Sequence, residues 1–326
     1  MKINALMPGV FVAVITGLAA LFLSEHYGAP AMLFALLLGI ALSFLHNETK
    51  CQVGIEFAAT HLLRIGVALL GFRIAFDDLI SLGWSTALLL IVAIASTIRF
   101  GIFVSRLLGL SQRFGALTGG SVAICGASAA MAISAIMPDS KDKERDTLLT
   151  IIGVTSLSTL AMILYPILAS ELSLTEQQTS IFLGGTIHDV AQVVGAGYSV
   201  SEQTGDLSTL VKLVRVSFLM PVVLLMLLVI NARFKQAESS RKAANFPPFL
   251  IAFVIFMVLN SLVDLPVKVT SIATDISSFA LVLSIAAIGM KSNLSKLVSV
   301  GIKPILLMVA ETIWIAGLIL LALKWL

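Results

Sequence analysis

Long runs of apolar residues, separated by short polar loops, extend over almost the whole chain. A helix that crosses the hydrocarbon core of a bilayer needs about 20 mostly apolar residues. The runs approach this length at residues 8–24, 31–45, 56–72, 84–105, 114–137, 148–170, 179–198, 208–231, 248–264, 269–290 and 302–323. The pattern therefore predicts an all-α polytopic membrane protein with about 11 membrane segments.

The composition supports this prediction. Of 326 residues, 58% are hydrophobic and only 12% are charged, whereas soluble domains are about one quarter charged. So few charges cannot cover a soluble globule, which argues against a soluble enzyme, a disordered protein and a nucleic-acid-binding domain. The sequence contains no G-x-S-x-G, H-E-x-x-H, C-x-x-C or P-loop motif. We therefore predict that the chain is not an enzyme and has no cofactor and no metal site, apart from a coupling ion, H+ or Na+.

The distribution of Lys and Arg predicts the orientation. If the N-terminus is inside and the segments alternate, 11 of these residues lie in inside loops and three in outside loops. Positive residues favour the cytoplasmic side, so we expect a cytoplasmic N-terminus and a C-terminus on the opposite side. Loop 138–146 remains ambiguous because segment 114–137 either crosses fully or is re-entrant. Segment 8–24 lacks a signal-peptidase pattern and is expected to be retained.

A weak internal repeat relates Ile65–Gly83 to Leu283–Gly301. Five of the 19 aligned positions are identical, and Arg73 aligns with Lys291. An odd number of segments separates the copies, so they would have opposite orientations, as in the inverted repeats of many secondary transporters. We predict one transporter domain over 1–326, with repeat-related parts at about 31–170 and 179–323 and segment 8–24 as an addition. Chance similarity between apolar helices is the alternative.

A second, shorter repeat has the pattern Gly-Gly-[Ser/Thr]-[Val/Ile]. It occurs at residues 119–122 and again at 184–187. Paired glycines weaken a helix, and the backbone groups of a broken membrane helix require partners such as protein, water or ligand. Segments 114–137 and 179–198 are therefore predicted to be broken, crossing or re-entrant helices that form a central binding site. Close helix packing through small residues is the alternative.

The predicted substrate-binding residues lie in these two segments and in the next one. The candidates are Gly119, Gly120, Ser121, Cys125, Gly126, Ser128, Gly184, Gly185, Thr186, Gln192, Lys212 and Arg215. Lys212 and Arg215 are three residues apart, so they share a helix face, and two inward-facing cations would attract an anion. The alternative for this pair is that both side chains reach toward the membrane surface.

His188 and Asp189 are the candidate ion-coupling residues. Ionisable side chains within a membrane are costly and usually mark a transport pathway. A histidine also changes charge near neutral pH. The alternative is that His188 lies at the interface and has no such role.

The sequence from Gly119 to Ala129, the sequence from Gly184 to Gly197 and the stretch Lys212 to Arg215 together resemble the YeiH-type family of sulfate exporters. The resemblance extends over essentially the whole chain. It implies a multi-pass transporter of the bacterial inner membrane, distantly similar to bile acid symporters and sodium-proton antiporters. Proteins of that group have inverted repeats and two broken helices that cross near the bilayer centre.

The functional hypothesis is secondary active transport of a small anion, coupled to H+ or Na+. Sulfate, sulfite or an organic sulfonate is favoured as the substrate. The expected partners are this anion and the lipid bilayer, without nucleic acid, and a homodimer is left open. A membrane ligand sensor or accessory subunit and a passive anion channel are the alternatives.

Overall fold

The computed structural model describes residues 3–27, 30–47, 49–74, 80, 82–138, 140–234, 248–263, 265–291 and 301–325. All regular elements within these ranges are helical. The chain divides into two compact units. Unit 1 comprises Met1–Leu82, Ala191–Thr209 and Phe246–Asn293, and unit 2 comprises Gly83–Val190, Leu210–Asn245 and Leu294–Leu326.

The α-helices follow one another with short connections. The first part of the chain forms α1 (Ile3–Tyr27), α2 (Ala31–Ala41), α3 (Thr49–Phe57), α4 (Leu63–Leu69) and α5 (Gly83–Leu107). The middle part forms α6 (Gln112–Ala123), α7 (Ala127–Ile136), α8 (Lys143–Glu171), α9 (Glu176–Thr186), α10 (Val190–Val200) and α11 (Glu202–Ser217). The last part forms α12 (Leu219–Phe234), α13 (Pro248–Leu262), α14 (Val267–Lys291) and α15 (Ile302–Ala322). Two 3-10 turns, Ser43–Asn47 and Leu70–Phe72, and a π-helical turn, Ala58–Leu62, adjoin α3 and α4.

Glycines let the helices of unit 1 approach closely. Gly9 of α1 faces Gly54 of α3, and Gly39 of α2 faces Gly289 of α14. A Cβ atom at any of these four positions would collide with the backbone of the opposite helix. Small residues at such contacts are typical of membrane helix pairs. In lipid no hydrophobic effect drives helices together, so van der Waals contacts between closely packed backbones stabilise the pair instead.

The same kind of contact joins α5 to α6 in unit 2. Gly101 of α5 and Gly115 of α6 face each other, and a Cβ atom on either glycine would collide with the carbonyl oxygen of the other. One helical turn further, Gly119 lies against the backbone of Thr97 and Ile98. This close pairing fixes α6, which carries the first Gly-Gly motif, against a long apolar helix.

Seven helices are long and apolar enough to cross a membrane in the part of the chain that the structure describes. These are Ala5–Tyr27, Lys50–Phe72, Gly83–Leu107, Lys143–Glu171, Glu202–Ile230, Val267–Lys291 and Ile302–Ala322. Four shorter apolar helices are Ala31–Ala41, Ala127–Ile136, Val190–Val200 and Pro248–Leu262. The all-α fold is confirmed, but the count of 11 membrane segments is not.

The predicted repeat between Ile65–Gly83 and Leu283–Gly301 falls partly outside the described residues. Residues 75–79 and 81 of the first copy and 292–300 of the second belong to this undescribed part. The inverted repeat and the single-domain organisation of 1–326 therefore stay predictions.

Candidate functional site

The two helices that carry the Gly-Gly motifs both begin with a side-chain cap. The Ser111 hydroxyl accepts a hydrogen bond from the Phe114 N–H at 3.1 Å at the start of α6. Thr175 and Gln178 form a reciprocal capping box at the start of α9, with both bonds at 3.2 Å. Such caps satisfy N–H groups that have no partner within the helix. The sequence thereby fixes where both helices begin.

Three residues separate each of these helices from the next one. Ile124, Cys125 and Gly126 lie between α6 and α7, and Ile187, His188 and Asp189 lie between α9 and α10. Gly126 has φ +63° and ψ −121°, a conformation that is open essentially to glycine alone. The first connection is therefore built on a residue that a side chain would strain.

The Gly-Gly pairs lie within helices, which corrects the expected interruption at the paired glycines. Gly119 and Gly120 belong to α6, and Gly184 and Gly185 belong to α9. The physical reason is packing: Gly119 contacts α5, and Cβ atoms at Gly120 and Gly185 would collide with Ile133 and Ile319. For Gly119, Gly120 and Gly185 the structure thus shows the close-packing role that was the alternative.

Lys212 of α11 is fully buried and binds both connections of unit 2. Its Nζ atom donates hydrogen bonds to the carbonyl oxygens of Ile124 and Ile187, each at 2.8 Å. Because the last carbonyls of a helix carry partial negative charge, this ammonium stabilises the C-terminal ends of α6 and α9 together.

Arg215, one turn further along α11, is also fully buried and binds the same two helix ends. Nε donates to the Ala123 carbonyl at 2.6 Å, and the two terminal nitrogens donate to the carbonyls of Val122 and Ile187. The Ile187 carbonyl therefore accepts from both cations. The sequence predicted that Lys212 and Arg215 share a face, and they do, but their bonded partners are backbone carbonyls.

No carboxylate forms an ion pair with these two buried cations in the part of the chain that the structure describes, although the charge of Asp189 interacts with that of Lys212. Among the residues that the structure describes, neither Lys212 nor Arg215 has a carboxylate oxygen within ion-pair distance. An ammonium has three N–H donors and a guanidinium five, and the bonds above use two and three of them. The cluster can therefore still donate to an anion.

His188 lies in the second connection and is fully buried. Its Nδ1 atom lies 3.1 Å from the Thr186 carbonyl oxygen, and its Nε2 atom lies 3.0 Å from the Thr312 hydroxyl on α15. A carbonyl only accepts hydrogen bonds, so Nδ1 carries a hydrogen. The ring therefore connects the end of α9 to the middle of α15.

Asp189 is half-buried next to His188. Its backbone N–H donates to the Ser158 hydroxyl of α8 at 3.1 Å. This bond fixes the second connection against α8. Asp189 and His188 are adjacent in the connection, but each is anchored by a different helix.

The remaining candidates differ in their surroundings. The Ser121 hydroxyl donates a hydrogen bond to the Leu117 carbonyl, and the Thr186 hydroxyl donates one to the Phe182 carbonyl. Both bonds lie within the helix of the donor. Cys125 is buried in the first connection, whereas Ser128 is exposed on α7. The hydroxyls of Ser121 and Thr186 are thus engaged, and a ligand would have to compete with these internal bonds.

Gln192 is the one predicted binding residue that belongs to unit 1. Its side chain is buried, and its Oε1 atom has no hydrogen-bond partner among the described residues. Because a buried amide oxygen without a partner is destabilising, this side chain is suited to accept a hydrogen bond from a ligand or from water.

Glu311 of α15 is a buried acidic residue that the sequence analysis did not assign to the site. Its side chain is fully buried in unit 2, and its Oε1 atom lies 2.8 Å from the Thr118 hydroxyl of α6, within hydrogen-bond distance. The sequence feature that could have indicated a functional role is that Glu311 is the single acidic residue in the apolar run Ile302–Ala322. Without the helix packing, an exposed carboxylate or a surface ion pair would have fitted this signal equally well.

Comparison with known proteins agrees with the motifs that surround these connections. The family model described as "Conserved hypothetical protein 698" matches residues 8–308. The UPF0324 inner membrane protein YeiH of Escherichia coli is 30% identical over 324 residues, which covers 95% of this chain and 91% of YeiH. The chain belongs to the YeiH-type family.

More similar members of this family cover nearly the whole chain. The UPF0324 membrane protein CT0845 of Chlorobaculum tepidum is 50% identical over 325 residues, 99% of this chain and 91% of that protein. The UPF0324 membrane protein TauZ of Paracoccus pantotrophus is 49% identical over 316 residues, 96% and 94% of the two chains. With the apolar helices described above, these relatives identify a multi-pass membrane protein.

Proposed function

We propose that this YeiH-type protein is a secondary active transporter of a small anion. The observation that carries the proposal is the pair of fully buried cations, Lys212 and Arg215, at the two helix connections of unit 2. A buried positive charge is stable only with partners. Backbone carbonyls provide part of this stabilisation, and a bound anion would provide the rest.

The helix connections favour an oxyanion. The C-terminal ends of α6 and α9 are held by cations, while α7 and α10 begin directly after the same connections. Helix N-termini attract negative charge. The oxygens of sulfate, sulfite and organic sulfonates are arranged in a tetrahedron or a pyramid around sulfur, so several N–H donors can bind one anion together. The guanidinium of Arg is well suited to bind such groups. We propose these as the substrate class.

The two interrupted segments fit a transport cycle with alternating access. We propose that 114–137 and 179–198 are broken membrane helices that enclose the site, with inverted repeats around them, in a bacterial inner membrane with the N-terminus in the cytoplasm. H+ or Na+ would provide the driving force, and His188 and Asp189 are the proposed coupling residues. Their position directly beside the carbonyls that Lys212 and Arg215 bind supports this role.

Uptake into proteoliposomes tests the proposal. Labelled sulfate, sulfite and an alkyl sulfonate would be offered with an imposed pH gradient, with an Na+ gradient and without any gradient. We expect at least one anion to accumulate only when a gradient is present. Lys212→Gln should reduce the uptake at least tenfold, whereas Lys324→Gln, a control at an exposed lysine, should not.

Two other results would favour the alternative functions. Flux that does not respond to either gradient would indicate a passive anion channel. Anion-induced thermal stabilisation without flux would indicate a ligand sensor or accessory subunit. Absence of both binding and flux over the whole panel would contradict the proposed substrate class.

A further inference from the structure

The buried carboxyl group of Glu311 has an unusually incomplete set of partners. Oε1 lies 2.8 Å from the Thr118 hydroxyl, but Oε2 is buried without a hydrogen-bond partner among the described residues. Gly101 of α5 makes room for this carboxyl group, since a Cβ atom there would collide with Oε1. The close pairing of α5 and α6 therefore encloses Glu311 between helices.

No positive charge neutralises this carboxyl group in the described part of unit 2. Helix α15 packs against α5, α6, α8 and α9. The ionisable residues of these helices are Arg99, Arg106, Arg113, Lys143, Glu144, Arg145, Asp146, Tyr165, Glu171 and Glu176. None of them makes an ion pair or a hydrogen bond with Glu311. The nearby His188 ring contacts Thr312, the next residue along α15, and Lys303 lies exposed at the start of the same helix.

The hydroxyl of Thr118 indicates the form of this carboxyl group. Its Oγ1 atom lies 2.8 Å from Glu311 Oε1 and 3.1 Å from the Phe114 carbonyl oxygen. A hydroxyl has a single hydrogen, and a carbonyl oxygen can only accept. The hydroxyl can donate fully to only one of these two oxygens. Both contacts are complete hydrogen bonds when Glu311 carries a proton and donates it to Thr118, which then donates its own hydrogen to the Phe114 carbonyl.

We propose that the Glu311 carboxyl group, together with the Thr118 hydroxyl, is a proton-binding site that loads and releases the proton coupled to anion movement. The transport part of this inference rests on the proposed function. It names H+ as the coupling ion. After the proton leaves, the remaining carboxylate would be buried without a cation, which is strongly unfavourable. Release therefore requires that water or a cation reaches Glu311, as expected if the site opens during a transport cycle.

The position of this pair suggests how the proton affects the anion site. Thr118 lies on α6, one turn before Val122 and Ala123, whose carbonyls Arg215 binds. On the other side, Thr312 follows Glu311 and contacts the His188 ring. A change in the contact between Glu311 and Thr118 would thus reach the carbonyls that Arg215 binds through one turn of α6. It would reach the His188 ring through Thr312, the next residue along α15.

Glu311 is better suited than His188 to carry the proton itself. Proton loading on Glu311 removes an unpaired buried charge. Proton loading on His188 would add a third positive charge beside Lys212 and Arg215, which repel it. His188 is then a positioning residue that connects the second helix connection to α15.

Chemical labelling tests the proton-binding site without any transport assay. Dicyclohexylcarbodiimide reacts with a protonated carboxyl group: the oxygen bonds to the central carbon, the proton moves to nitrogen, and the adduct rearranges to a stable N-acylurea. In the full-length protein in detergent we expect one adduct on the peptide that contains Glu311. The amount of this adduct should fall at least tenfold as the pH is raised. The adduct should be absent in Glu311→Gln and retained in Asp275→Asn, a control at an exposed acid on α14.

Two labelling results would overturn the proposal. One is the absence of an adduct at Glu311 at every pH, since the site would then hold no accessible proton. The other is labelling that does not change with pH, since the proton would then never be released. Both results come from the wild-type protein and do not depend on whether a variant folds.

Transport measurements separate this inference from the proposed function. With a wild-type protein that accumulates an anion under a pH gradient, Glu311→Gln should lose this accumulation at least tenfold but keep anion exchange. The control Asp275→Asn should keep both. Full accumulation in Glu311→Gln, or wild-type uptake driven by Na+ alone, would overturn the coupling role. If the wild-type protein moves no anion, the proposed function fails, while the labelling still decides whether Glu311 binds a proton.

Discussion

Arg215 Nε donates a hydrogen bond of 2.6 Å to the carbonyl oxygen of Ala123, the last residue of α6. The same guanidinium binds the Ile187 carbonyl directly after α9. One side chain of α11 thus holds the ends of both helices that carry the Gly-Gly motifs. This relationship makes Arg215 a structural residue as well as a proposed anion-binding residue.

Replacement of Arg215 should therefore affect stability and anion binding together. Arg215→Gln removes a charge and most of the donors that satisfy three buried carbonyls, and we expect the free energy of unfolding to fall by about 2–4 kcal/mol. Anion binding should weaken at every pH, because Arg does not lose its proton in the accessible range. Thermal unfolding in detergent, with and without sulfate, measures both effects.

Arg215→Lys is the matched variant for this prediction. It keeps the charge but cannot span the carbonyls of Val122, Ala123 and Ile187 with one planar group. We expect an intermediate loss of stability and retained stabilisation by anions. Equal behaviour of the Gln and Lys variants in the presence of anion would show that the charge of Arg215 does not contribute to binding.

Gly126 should tolerate a side chain poorly because of its backbone conformation. Its φ of +63° is unfavourable for any residue with a Cβ atom, although the nearest atom to such a Cβ is 3.6 Å away. We expect Gly126→Ala to lower the free energy of unfolding by about 1–3 kcal/mol. The control is Gly317→Ala on α15, where no atom lies within 4 Å.

Gly317→Ala should have the opposite effect. Alanine favours the helix over glycine by about 1 kcal/mol, so the control is expected to be neutral or slightly stabilising in the same thermal unfolding experiment. If both substitutions have the same effect, the strain attributed to residue 126 is absent.

The helical class could be predicted from the sequence for a clear physical reason, and the repeated motif drew attention to the two Gly-Gly segments. Apolar runs of membrane length can satisfy their backbone only as helices, and two copies of one motif indicate related environments. The position of the connections was not predictable in the same way. Ile124 and Ile187 look like ordinary helical residues, and their carbonyls are bound by a buried cation of a helix that lies far away in the sequence.

Glu311 shows a second limit of prediction from sequence. A single acid in an apolar run indicates a functional or paired residue, but the sequence does not say which. Its environment depends on Gly101 and Thr118, which belong to two other helices far away in the chain. Contacts of this kind depend on how the helices pack, and a local sequence pattern does not predict that packing.

The carboxylate of Asp206 should stabilise unit 1 through Arg73. Arg73 Nε lies 2.7 Å from Asp206 Oδ2, and the Tyr198 hydroxyl donates to Oδ1. Burial alone would lower the pKa of Arg73, but Asp206, Tyr198 and Glu202 raise it above its usual value. Because this pKa is raised, Arg73 stays positively charged at all pH values below it. The titration of Arg73 therefore does not make the free energy of unfolding depend on pH in the ordinary range.

Asp206→Asn should therefore lower the free energy of unfolding by about 1–2 kcal/mol. Glu202, whose side chain is 78% exposed, contacts the same guanidinium, and Glu202→Gln should cause little change because exposed ion pairs contribute little. Thermal unfolding of both variants at neutral pH makes the comparison. A larger loss in Glu202→Gln than in Asp206→Asn would contradict the assignment.

The Thr118 hydroxyl should control how readily Glu311 holds its proton. Thr118→Val removes the hydroxyl, and Thr118→Ser keeps it with one methyl group fewer. Under the proposed arrangement, Thr118→Val should change the pH at which carbodiimide labelling of Glu311 falls, while Thr118→Ser should match the wild-type profile. Identical profiles for all three proteins would mean that the 2.8 Å contact has no part in proton binding.

His188 and Asp189 should differ in their contribution to coupling. The His188 ring contacts Thr312, beside Glu311, so His188→Gln is expected to alter the pH dependence of uptake more than the saturating affinity for the anion. Asp189 provides oxygen ligands and would matter more if Na+ were the coupling ion. A charge that moves down 100 mV contributes about 2.3 kcal/mol, so a lost coupling step should abolish accumulation but permit exchange. Counterflow and gradient-driven uptake of both variants, His188→Gln and Asp189→Asn, provide the comparison, and full accumulation with an unchanged pH profile in both would make the pair purely structural.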